Sequence, residues 1–422
     1  MISLPPQLLV EAQWERHALA DPASETATRL DLALSGFDWK GRRFAVAVGS
    51  RGIDKIDVVA RAAVNWLKSR GAAPFVIPAM GSHGGSTPEG QKDVLASLGV
   101  TEQSVGAPID PSLETIELGR TPGGVRVLTS RVAFEADATL IINRVKPHTD
   151  FVSEEIGSGL RKMCVIGLGK ADGAFESHRA VSRLGYHTVL KEVSGVVLDK
   201  YPALFGLALV EDGYHCLAHI EALHGGRIAE REPALLGMAR KWMPSLPFPE
   251  IDVLIVDEMG KNISGAGMDT NIIERGFDEP PPAYKTNVGA IYVRRLTPES
   301  HGNAIGIGMA DVASSKLVSE IDKQSTYTNA LSAMSPATVR IPMHFESDRE
   351  CLLAAARIAG ADPAKARIVR VRNTLALDRF VATENYVEEI SRRKEFRVLR
   401  DASEWRFTSE GDLDPGADLL KM

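Results

Sequence analysis

Apolar residues come in short blocks separated by turn residues and by longer amphipathic stretches, the pattern of strands and helices taking turns. RRFAVAVGS (42–50) reads as a buried strand, residues 55–70 as an amphipathic helix and PFVIPAM (74–80) as a second strand, together a β-α-β unit. Thr87, Pro88 and Glu89 form a helix start. Threonine offers an oxygen to free amides, proline needs no donor there, and the acid faces the positive helix end. GSHGGS thus becomes a strand-to-helix loop, with His83 at a strand's carboxyl end. Alternating segments over 114–134 predict paired strands, and ATLIINRVKPH (138–148) runs from a strand into a polar loop ending at His148. Residues 172–200 read as helices, and FGLALVEDGYHCLAHIEAL (205–223) as two strands joined at EDG. Three prolines in KWMPSLPFPEI (241–251) mark a linker. Beyond it EIDVLIVDEMG (250–260), GAIYVRRL (289–296), NAIGIGMADV (303–312) and ARIVRVRN (366–373) are predicted strands of a second unit. The fold class expected is α/β: two α/β domains with mostly parallel sheets and an active site in the cleft between them. Residues 1–247 would carry the chemistry and residues 248–422 would close the site.

A chain of 422 residues exceeds what one hydrophobic core usually organises, in keeping with two domains. Charged residues make up 25% with a net charge of −6, and the two signs are interspersed. Without a basic tract, nucleic acid and anionic membrane are not expected partners; a small molecule is. The three cysteines, Cys164, Cys216 and Cys351, are far apart and form no CxxC pair, which fits a reducing compartment. No run approaches the roughly 18 apolar residues of a membrane helix, and MISLPPQLLVEAQWERH has neither a basic leader nor an apolar core. The expected location is the cytoplasm.

Candidate chemistry is concentrated in four side chains. His83 and His148 each follow a predicted strand, where α/β proteins commonly place functional groups. Lys162 and His178 lie sixteen residues apart in SGLRKMCVIGLGKADGAFESH (158–178). An amine meant to act as nucleophile or anchor favours a desolvated setting, and the apolar MCVIGL after Lys162 is compatible with one. Cys164 reads as a small buried hydrophobe. GLGKADG (167–173) lacks a strand before it and reads as a turn rather than a nucleotide loop. His215 and His219 share a strand face but sit about 13 Å apart at 3.3 Å per residue, too far for one metal. The acidic pairs Glu154–Glu155 and Asp278–Glu279 read as solvated surface.

Taken in order, GSH with His83, KPH with His148, SGLRK with Lys162, and then His178, resemble the nickel-dependent lactate racemase family. The resemblance is specific over residues 79–178 and looser elsewhere. It implies that His83 and His148 are an acid/base pair, that Lys162 joins covalently to a nickel pincer nucleotide, and that His178 ligates the nickel. It also implies cofactor-loading biosynthetic enzymes as partners. Arg51, in AVGSRGIDK, lies where the family has an arginine for the substrate carboxylate, a task suited to a guanidinium fork. The chain departs from the family in three places. SHGG replaces an Arg-Pro pair after the first histidine, the interval from His148 to Lys162 is longer, and in NISGAGMDTNIIERG (262–276) Glu274 and Arg275 stand near where glutamine and lysine are expected. These departures indicate a divergent branch with its own substrate pocket.

The resemblance implies a racemase or epimerase inverting the 2-carbon of a 2-hydroxy acid by hydride transfer to and from the pincer nucleotide. A Cα–H beside a carboxylate is barely acidic, so moving hydride avoids a carbanion. Two histidines let each antipode present its hydroxyl to a different base, and imidazole's pKa near 6.5 suits either role. Two other readings stay open: an oxidoreductase that releases the 2-keto acid, and a non-catalytic nickel or pincer-nucleotide carrier.

Overall fold

In the computed structural model, residues 4–201, 203–276 and 286–421 are described. The acidic pair Asp278–Glu279 lies outside them. The chain divides into two compact units, one of residues 15–148 and 153–243, the other of residues 1–14, 149–152 and 244–422. The first strand, β1 (Gln7–Ala12), belongs to the second of these.

The unit of residues 15–148 and 153–243 is built on β2 (Arg43–Val48), β3 (Ala73–Pro78), β6 (Ala138–Arg144), β7 (Leu204–Glu211) and β8 (Leu217–His224), in the order β3-β2-β6-β7-β8. The first four are parallel, and β8 returns antiparallel to β7. A separate antiparallel pair, β4 (Thr115–Arg120) and β5 (Arg126–Ser130), intervenes in sequence. β2, β3 and β7 are almost wholly buried, as expected of parallel strands covered on both faces. The helix Ile56–Ser69 lays Val59, Ala60, Ala63, Val64 and Leu67 against this sheet, the 3.6-residue spacing read in the sequence. Thr87 accepts the Gly90 amide and Pro88 opens the helix Pro88–Ser97, so GSHGGS is the β3-to-helix loop. The exposed Glu154 and Glu155 pair with Arg240 and Lys191.

The other unit carries an eight-stranded sheet: β9 (Glu250–Met259), β10 (Asn287–Leu296), β11 (Val312–Ser314), β12 (Met343–Phe345), β13 (Ile368–Asn373), β14 (Ala376–Thr383) and β15 (Phe396–Ser403), joined by β1. Its order is β12-β11-β10-β9-β13-β14-β1-β15, parallel from β12 to β13 and antiparallel beyond. Both β14 and β15 pair with β1, so the segment QLLVEA completes a sheet otherwise made from the last 170 or so residues. NAIGIGMADV, expected as one long strand, is a loop, a 3-10 turn Ile307–Met309 and the short β11. Gly306 is left-handed (φ 95°) and a Cβ there would lie 1.7 Å from the Ala266 carbonyl oxygen, which rules out the extended run. No helix among the described residues is long and apolar enough to cross a membrane.

A buried ionic network ties this sheet together. Arg370 on β13 donates to both oxygens of Asp257 on β9 (2.8 and 2.7 Å) and to Asp418 (2.9 Å). Arg294 on β10 donates to Asp257 (3.0 Å) and to both oxygens of Asp348 (3.1 and 2.6 Å), which also accepts from the Tyr292 hydroxyl. The Leu413 and Leu420 amides bond to Asp348 and Asp418, so the network also fastens the last residues of the chain. Replacing one member strands its partners as buried charge. Arg370→Met is expected to cost about 3–5 kcal/mol, measured by urea unfolding, with faster amide exchange over 413–421. Arg294 and Arg370 hold the Asp348 and Asp418 carboxyls below their ordinary range despite burial, so this stabilisation is complete above about pH 4 and is lost as pH falls through the depressed values.

Candidate functional site

Strand register decides where the candidate groups emerge. Val48 at the end of β2 is level with Pro78 at the end of β3 and with Ile142 near the end of β6. Ser50 and Arg51, the loop to His83, and the loop to His148 thus leave the sheet at one edge. The chain passes from β2 outward to β3 and then back to β6 on the other side, so a topological switch point lies between β2 and β6, where open α/β sheets hold ligands.

Loop contacts then fix each side chain. Ser50 Oγ and His83 Nδ1 lie 2.6 Å apart, and the buried Gln91 amide donates to the carbonyls of Gly81 (3.0 Å) and His83 (3.3 Å). Lys146 exchanges backbone hydrogen bonds with Ser158, and the Asn143 side chain donates to the Gly159 carbonyl (3.1 Å). These bonds strap the His148 loop to the turn preceding Lys162. The turn is capped from below by Glu232 on the helix Gly225–Trp242, whose Oε2 accepts the Arg161 amide at 2.9 Å. Burial pushes the Glu232 carboxyl up to about 7, against the pull of the Arg161 amide and guanidinium and of the Leu160 and Gly157 amides.

Lys162 ends a short helical turn (Leu160–Lys162) that continues as the π-helix Met163–Gly167, a local widening common at functional sites. His178 lies on the next helix, Lys170–Leu184. Tyr186 opens the helix after that, with its ring centroid 5.6 Å from the His148 imidazole and 6.5 Å from that of His178. His148 is only 7% exposed. Its pKa is drawn well below 6.5, first by burial and then by the charges of Lys162, Lys146, His178 and Arg51, all within electrostatic reach.

Arg51, His148, Lys162 and His178, separately named from sequence, are thus gathered around one buried imidazole, with His83 bonded to the neighbour of Arg51. Lys162 is half-buried; among the described residues the fully buried lysine is Lys170, in the stretch read as a turn. Burial pushes the Cys164 thiol far up, and it remains a protonated apolar filler. His215 occupies a left-handed turn and His219 lies on β8. No group of three or more His, Cys, Asp or Glu that could hold a metal forms among the described residues. Ser50, Lys146, Tyr186, Gln91 and Glu232 were not singled out from sequence. Glu232 stands 71 residues from its partner, on a helix whose pattern marks it only as one more inward position.

No protein-family model matches the chain, and no curated protein matches it in sequence. Among solved structures it is similar to the lactate racemase apoprotein from Thermoanaerobacterium thermosaccharolyticum, at 13% identity over 85% of this chain and 93% of that one, with a TM-score of 0.52. It is also similar to a structural-genomics protein from Thermotoga maritima, at 14% identity over 65% of this chain and 71% of that one, with a TM-score of 0.49. At such identities the likeness to the racemase is one of fold.

The state of His148 is open to measurement. Its imidazole is expected to titrate well below 6.5 in histidine-selective NMR. In Lys162→Met its titration should move upward, yet remain below 6.5 because burial is the larger cause. The unfolded chain takes up this proton below about 6.5 and the folded one does not, so the site loses stability as pH falls under that value.

Proposed function

We propose that this chain is a cytoplasmic isomerase, a racemase or epimerase acting on the 2-carbon of a 2-hydroxy acid. Lys162 would hold a nickel pincer nucleotide covalently and His178 would ligate its nickel. The donor set is compatible with such a group: no group of three or more His, Cys, Asp or Glu that could hold a metal forms among the described residues, so a metal at His178 would draw most of its ligands from an organic frame. When bound, that group supplies a reversible acceptor for the hydride of the substrate's 2-carbon.

The chain's own residues do the rest. Arg51, exposed at the end of β2, offers two parallel N–H donors to the substrate carboxylate. His148, kept neutral by burial and by the surrounding cations, is ready to take the hydroxyl proton at neutral pH. His83 serves the other antipode, its ring orientation held through Nδ1 by Ser50. Tyr186 walls the space beside His148 and His178 and helps to keep water from a reactive ketone. The observation that most supports this reading is the gathering of Arg51, Lys162 and His178 around buried His148. The racemase-like fold agrees with it.

The test is intact-protein mass spectrometry with metal analysis, on protein co-expressed with pincer-nucleotide biosynthetic enzymes. One nickel per chain and a covalent mass increase are expected, both lost in Lys162→Ala, with the nickel reduced in His178→Ala. Absence of adduct and nickel, under conditions that load an established racemase, would defeat the proposal. With loaded protein, a single enantiomer of a 2-hydroxy acid should yield its antipode; accumulating keto acid would instead indicate an oxidoreductase.

A further inference from the structure

Lys170 is absorbed by none of the roles above. It opens the helix that carries His178, at the point where the π-helical turn after Lys162 gives way to α-helix, and its backbone is left-handed (φ 55°). A side chain with a Cβ is strained in that conformation. It is 0% exposed, and its Nζ donates at 2.7 Å to the carbonyl of Pro78, the last residue of β3.

The chain reaches His83 five residues beyond Pro78, and the loop between them packs on the same helical turn. A Cβ on Gly81 would lie 2.9 Å from Ile166 and 3.5 Å from Ala174. Lys170 is therefore a polar tie across the seam between the β3 loop and the segment holding Lys162 and His178.

An ammonium placed there works against the fold. Burial lowers its pKa to about 8, and Asp110 alone opposes the shift. One carbonyl answers an ammonium that has three donors. A methionine of similar length would fill the space without the desolvation cost. A group that costs stability, in a strained conformation and wedged between two parts of a candidate site, is explained by what it positions.

We propose that Lys170 is a positioning residue whose bond to the Pro78 carbonyl sets the His83 loop against the segment that carries Lys162 and His178. This rests on the reading of those three residues as one site. The experiment uses full-length, cofactor-free protein, comparing wild type with Lys170→Met and with Lys170→Gln, which keeps an N–H donor. Two quantities are followed at pH 7: the melting temperature and the His83 imidazole signals in selectively labelled NMR spectra, assigned with His83→Gln.

Lys170→Met should melt at or above the wild-type temperature while the His83 signals shift, and Lys170→Gln should restore part of the wild-type positions. A methionine variant that melts well below wild type or fails to fold would make the lysine structural and overturn the proposal. Unmoved His83 signals would overturn it equally. Both readouts come from protein without cofactor, so a failure to load nickel elsewhere leaves the result standing.

Discussion

Three parallel strands ending in register are the constraint on which the candidate site depends. Because β2 is level with β3 on one side and β6 on the other, three loops far apart in sequence are released at one edge of one sheet. Parallel pairing requires a long crossover for each return, and the connection from β6 to β7 supplies the helices bearing Lys162 and His178. Sheet topology thus brings loop chemistry and crossover chemistry together before any side-chain contact forms. The contacts of Ser50, Gln91, Asn143 and Glu232 then remove the freedom the loops retain.

The two units bury charge in opposite ways. In the eight-stranded unit, two arginines and three aspartates satisfy one another through bidentate bonds, as ions removed from water require. In the unit of residues 15–148 and 153–243 the compensation is incomplete. Glu232 is lifted to about 7 and Lys170 lowered to about 8, while His148 is held neutral. Strongly displaced ionisable groups concentrate at functional sites, although structural ion-pair networks displace them as well.

Much of the fold was legible because its signals are local. Apolar blocks gave β2, β3, β6, β7, β9, β10 and β13, and the threonine-proline start gave the helix at Pro88. NAIGIGMADV misled because its apolar content resembles a strand, whereas Gly306 needs a left-handed turn against Ala266. QLLVEA gave no sign of its partners, since pairing with β14 and β15 depends on residues almost a whole chain away. In the candidate site, His83, His148, Lys162 and His178 stood out through their order and spacing, which resemble the racemase family's, and Arg51 through its place in that resemblance. Tyr186 and Glu232 did not, because an aromatic ring or a buried acid on a helix looks the same in sequence whether it meets a core or a catalytic group. Lys170 was passed over as part of a turn, although a lysine fully out of water is uncommon.

The place of β1 bears on how the protein is made. β1 is synthesised more than 360 residues before its hydrogen-bonding partners at 379–383 and 396–403. The Trp405 indole closes the same seam onto the Pro5 carbonyl at 2.8 Å. During synthesis the unit of residues 15–148 and 153–243 has its whole sequence in hand and is free to fold early, while QLLVEA waits as an apolar, strand-prone segment with both edges open. The eight-stranded sheet is therefore closed by a ring of sequence rather than by a contiguous domain. A fragment cut at the proline-rich linker would lack an interior strand of its own sheet.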